Sequence, residues 1–255
     1  MKKLAIFFCV LAVQCITMPL WAKAIPTEIT VRAQARDAKF IGSSIGGAMV
    51  IIRAADTGEI LAKGLTQGST GDTGKIMKTP RERYLPIATG AAHFTATLDI
   101  SNPVFLTIEI LAPYIKKQAR VVAQTQTWLV PGKPINGEGL IVEIPGMVVD
   151  LLNPQTHLYT GLDQSPYEIR ANVVMMCGCS ITEGGLWDGS TIEVVAQVKK
   201  EGKIFATVPL KLHDTMNTFS ALFSTDTPGV YEILVYAYDP KTGNTGVDRG
   251  SFIVH

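Results

Sequence analysis

The chain has 255 residues, 47% hydrophobic and 18% charged, with 23 basic and 22 acidic side chains for a formal charge of +1. That apolar share suffices for a packed core and excludes wholesale disorder. The near balance of charge removes the basic excess on which nucleic-acid binding depends, and the absence of a sustained heptad excludes a long coiled coil.

Lys2 and Lys3 precede an apolar run over 4–13, and Ala22-Lys23-Ala24 follows with the small-x-small form read by signal peptidase. The pattern predicts a cleaved signal peptide over 1–24 and export to the periplasm or the medium. Gln14 and Thr17 interrupt the run, which falls short of the roughly 20 apolar residues of a spanning helix. Gln14 stands before Cys15, where lipid attachment wants a small residue. No later run is long enough, so the mature form is expected to have no membrane span. Cleavage would take away three lysines and no acid, leaving a slightly acidic chain. It would also remove Cys9 and Cys15, leaving Cys177 and Cys179 alone, which is no disulfide framework.

The remainder predicts an all-β chain. Alternating, β-branched or aromatic segments occur over 29–33, 49–52, 94–98 and 105–110, then over 167–174, 192–198, 204–212, 219–223, 231–238 and 251–254. Gly, Pro, Asn and Asp punctuate them at 184–185, 188–189, 201–202, 228–229 and 242–244. The stretch 115–128 mixes helical propensity around Lys116 to Arg120 with β-branched alternation after it, and is read as strand. Short strands at this spacing suggest sandwiches or open barrels. Asn153-Pro154 reads as a linker, because proline holds the residue before it extended. The expectation is two β-sandwich domains in tandem, over 25–152 and 153–255.

Pro228-Gly229-Val230-Tyr231-Glu232-Ile233-Leu234-Val235-Tyr236-Ala237-Tyr238-Asp239 resembles the penultimate strand of bacterial immunoglobulin-like domains. The resemblance implies that Tyr231 ties the preceding turn to the sandwich. Ile45-Gly46-Gly47-Ala48-Met49-Val50-Ile51-Ile52 and the turn Asp56-Thr57-Gly58-Glu59 resemble the transthyretin-like modules called carboxypeptidase regulatory domains, with a long polar insertion in place of a short connection. Segments 68–73, 128–133 and 175–179 resemble those of exported bacterial two-domain proteins whose activity is unassigned.

Two segments carry chemistry. In Met175-Met176-Cys177-Gly178-Cys179, a strand would project Met175, Cys177 and Cys179 to one face. Two thiolates and a thioether are soft ligands suited to Cu(I), and His157 or His213 would be available as supplements. The same pair would also serve thiol–disulfide exchange, or would be an oxidised cap on a strand end or buried thiols. The second segment is the loop over 66–86, with Thr70 and Asp72 as polar groups and Lys75, Lys78, Arg81 and Arg83 as cations for an anion or glycan. It fails the phosphate-loop spacing, since Gly68 and Gly74 enclose five residues and Ile76 follows Lys75. A solvated charged loop is the alternative.

No His-Glu-x-x-His motif occurs, and no catalytic residue is assigned. The leading expectation is an exported, non-enzymatic binding or interaction protein, a secreted effector or envelope accessory, with a protein or glycan partner and no cofactor. The alternatives are a periplasmic Cu(I) or thiol-redox protein centred on Cys177 and Cys179, and a carbohydrate-active enzyme using Asp72, Glu82 or Asp188 with Trp128 and Trp187 as a sugar platform.

Overall fold

A computed structural model describes residues 23–213 and 215–255; the expected signal segment lies outside them but for its last two residues. The first half holds β1 (Ile25–Ala35), β2 (Met49–Ala54), β3 (Ile60–Leu65), β4 (Phe94–Ile100), β5 (Val104–Ala112), β6 (Val121–Leu129) and β7 (Ile135–Ile144). They form two sheets, β4-β1-β7 and β3-β2-β5-β6, with β1 and β7 parallel. The second half holds β8 (Met147–Asn153), β9 (Leu158–Thr160), β10 (Tyr167–Met175), β11 (Glu193–Lys200), β12 (Lys203–Pro209), β13 (Lys211–Leu212), β14 (Thr218–Phe223), β15 (Gly229–Tyr238) and β16 (Thr245–Val254). Its sheets run β13-β14-β10-β8 and β12-β11-β15-β16-β9.

The fold is all-β, with two sheets in each half. Immunoglobulin domains place strands A, B, E and D in one sheet and C, F and G in the other. β8, β10, β14 and β13 take the first set of places, and β11, β15 and β16 the second. Alternation explains the packing. β15 buries Tyr231, Ile233, Val235 and Ala237 and turns the residues between them outward. β5 does the same with Leu106, Ile108, Ile110 and Ala112. Each such side chain contributes about 1.5–3 kcal/mol of transfer free energy. The turn before β15 is held as the family resemblance implied: the buried Tyr231 hydroxyl donates to the Thr227 carbonyl (2.7 Å) and lies 2.8 Å from the Thr225 hydroxyl.

Three readings change. β8 pairs with β10 (Met147 with Met175, Val149 with Val173), so the sheets change over at Pro145-Gly146 and not at 152–153. Met147, Val148 and Val149 are all buried, a run that fits a strand covered on both faces rather than one closing an earlier core. The strand expected over 115–128 begins only at Val121. Ahead of it lies a turn in which the Ala119 amide bonds the Lys116 carbonyl (3.1 Å), and Lys116 reaches Asp150 at 2.9 Å. Pro209 ends β12, dividing the single strand expected over 204–212.

The buried residues of the two halves belong to one contiguous core. A satellite cluster of Phe40, Ile87, Ala88 and Ala91 lies beneath the 66–92 segment, with Ile76 and Ile141 against it.

Candidate functional site

The β10 end makes one wall of the site. The Gly178 amide bonds the Met175 carbonyl (2.7 Å), the Met175 amide bonds the Cys179 carbonyl (3.1 Å), and Gly178 takes φ +77°, a left-handed position that suits glycine. This tight return brings Cys177 and Cys179 into a disulfide with Cα atoms 5.4 Å apart. Both residues are buried, at 0% and 9% exposure. A cross-linked pair offers no thiolate, so a soft-metal role would need the reduced form. Met175 lines a neighbouring depression with Asp37, Trp187 and Asp239 rather than the one the cysteines line. Neither His157 nor His213 lines the cysteine site.

The 66–86 segment makes the opposite wall. Its start is tied down by bridges of Gln67 with His93 and Ser69 with Ala91. The Phe40 amide bonds the Thr70 carbonyl at 3.1 Å. A π-helical turn over Gly74–Lys78 follows, where Asp72 Oδ1 accepts from the Lys75 amide at 2.8 Å. Arg32 holds the return of the insertion from below. Its guanidinium, only 6% exposed, donates to the carbonyls of Ala91 (2.5 Å), Ala92 (3.2 Å), Glu138 (3.0 Å) and Gly137 (3.3 Å). Burial lowers its pKa and the Glu138 carboxylate opposes that shift. Glu138 Oε1 in turn accepts from the Ala88 amide at 2.8 Å.

Between the walls lies a cleft of about 480 Å³. Lys39 and Lys78 are its cations, and Ser44, Thr70, Thr73, Ser180 and Thr182 bring hydroxyls; among the described residues no carboxylate lines it. Lys39 Nζ donates to Thr73 Oγ1 at 3.0 Å. Of the loop residues read from sequence, Thr70 and Lys78 line this cleft and Asp72 is spent on the turn. Lys75, Arg81 and Arg83 are exposed without lining it, and the Arg83 guanidinium lies over the Tyr84 ring at 4.8 Å. Lys39 and Trp187 were not read as loop partners, because both lie outside the segment that carried the signal.

The seam beside the cleft fixes the two walls. The Trp187 indole N–H donates to the Asp37 carbonyl (2.8 Å). The Asn244 side chain donates to the Arg36 carbonyl (3.1 Å) and accepts from the Gly146 amide (2.8 Å). Burial, with the nearby Asp239 charge, raises the Asp37 pKa, and Lys241 opposes it. Asp188 is the reverse case. Its Oδ1 accepts from the Ser190 and Gly184 amides, both at 3.0 Å, and these bonds lower its pKa. Asp72 and Asp188 thus both accept from backbone amides. Trp128 lies on β6 against the Phe105 ring at 5.0 Å, and of the two tryptophans only Trp187 lines the cleft.

No family model matches the chain, and no curated protein matches it. Among solved structures, an engineered protein aligns with 50% of this chain at 15% identity and TM-score 0.33; the chain spans 24% of that protein's length. The fibronectin(III)-like modules of Clostridium thermocellum CbhA align over 89% of this chain and 90% of theirs, at 12% identity and TM-score 0.28. Escherichia coli alpha-2-macroglobulin activated by porcine elastase aligns over 91% of this chain and 22% of its own, at 9% identity and TM-score 0.22. These likenesses are remote.

Proposed function

We propose that the chain is an exported binding protein, an effector or envelope accessory, that holds an acidic glycan in the cleft between its halves. The observation that carries the reading is the make-up of that cleft: two ammonium groups and five hydroxyls, drawn from both halves, with no carboxylate among the lining residues. Ammonium groups favour carboxylate or sulfate, and hydroxyls match a sugar's donors and acceptors. The signal-like N-terminus supports export, and the disulfide suits an oxidising compartment. The Tyr231 corner supports a bacterial immunoglobulin-like second half. The Gly46-Gly47 entry into β2 and the turn after it support a transthyretin-like first half. The reading assigns no catalytic residue and needs no cofactor.

Titration calorimetry with oligogalacturonate, and with a neutral maltooligosaccharide as control, tests it. The acidic oligomer should bind, and Lys39→Ala with Lys78→Ala should weaken it tenfold or more, about 1.4 kcal/mol. No binding, or binding indifferent to both lysines, overturns the reading. Fractionation of producing cells tests export, with recovery in the cytosol counting against it.

A further inference from the structure

We propose that β6 pairs edge to edge with the β6 of a second copy, making one continuous sheet from two β3-β2-β5-β6 sheets. An edge strand presents unpaired N–H and C=O groups, and proteins blunt such edges with charge, proline, bulges or brevity. Among the described residues the other edges are treated in these ways. β12 carries Lys203, Pro209 and a register shift against β11. β3 carries Lys63 and a shift against β2. β4 has Asp99, β7 has Glu138 between two glycines and Glu143 further on, and β8 has Asp150. β9 and β13 are only 3 and 2 residues long. β6 has none of these devices. Its nine residues, VVAQTQTWL, hold no charge, proline or glycine and pair with β5 without a shift from Val121 to Leu129.

The strand is also its own complement. An antiparallel pairing with its two-fold axis at Thr125 sets Gln124 opposite the partner's Gln126 and Val122 opposite the partner's Trp128. Amide meets amide and apolar meets apolar, and the contact is isologous, as closed dimers require. Val122 and Trp128 are 61% and 60% exposed in the single chain, so both are open to a partner. Pairing would cover each Val122 with an indole already braced by Phe105. A contact about 30 Å long, from ~3.4 Å per residue, falls at the low end of specific interfaces, roughly 1,200 Å² in total. A dimer that forms at micromolar or higher concentration is the expectation. The inference does not depend on the glycan reading.

Sedimentation velocity over a micromolar to hundred-micromolar series tests it, with circular dichroism to check that each variant keeps its strands. The unmodified chain should show a monomer–dimer equilibrium. Gln124→Lys with Gln126→Lys sets like charges opposite each other on both sides of the axis and should weaken association at least tenfold. Gln124→Glu with Gln126→Lys sets opposite charges at the same places and should tighten it at low salt. A chain that stays monomeric throughout, or a double-lysine variant that dimerises as the parent does, overturns the proposal. A Glu/Lys variant no tighter than the parent overturns the register.

Discussion

Asp37 follows β1 at a left-handed backbone position, φ 52°, with its carbonyl bound by Trp187 and its carboxyl near Asp239. Because its folded pKa is raised, protonation favours the folded chain, and that advantage is lost as pH rises through the raised value. Asp37→Asn, which keeps a residue tolerant of positive φ, should therefore raise the melting temperature at neutral pH. The gain should vanish below the ordinary carboxylate range; thermal scans at both pH values measure it. Asp188 has the opposite sign: its contribution is present above the ordinary carboxylate pKa and is lost as pH falls through its lowered one. Arg32→Met would orphan four carbonyls at about 1–3 kcal/mol for each truly buried one, and urea unfolding should show a loss of several kcal/mol. Neither Arg32 nor Asp37 was legible in the sequence, since no motif announces that carbonyls from 91, 92, 137 and 138 converge on one side chain. Cys177 and Cys179 were legible, because their spacing is itself the signal.

For the strands, legibility followed alternation. β5 and β15 bury every second residue, and their positions could be read directly. β3 and β7 were missed, because ILAKGL and INGEGLIVEI break the period with glycine and charge. The breaks have local causes. A Cβ on Gly64 would stand 2.3 Å from the Phe94 ring, and one on Gly139 2.5 Å from the Thr30 carbonyl. The 66–86 insertion was legible as a loop but not as an ordered one, since its anchors are backbone bonds to 40–43 and 91–93. The tyrosine corner offers a clean measurement. Tyr231→Phe keeps the ring and removes two hydroxyl contacts, and should cost about 1–3 kcal/mol in urea unfolding.

At the scale of the molecule, sequence reading found two strand-built halves but placed their division inside β8. Pairing partners decide that question, and composition does not encode them. Within the second half β8 packs closely on β16, where a Cβ on Gly246 would stand 2.4 Å from the Met147 carbonyl. Gly246→Ala should thus lower the melting temperature more than a glycine change at open Gly243, and calorimetry should still record one transition, as a contiguous core requires. Only Pro145 and Gly146 separate β7 from β8. With this connection bonded through Asn244 and the core contiguous across both halves, opening the cleft would have to break packing. A visitor to the cleft would find its walls already set, pay little in ordering, and leave at a rate governed by the contacts it makes and not by the opening of a gate.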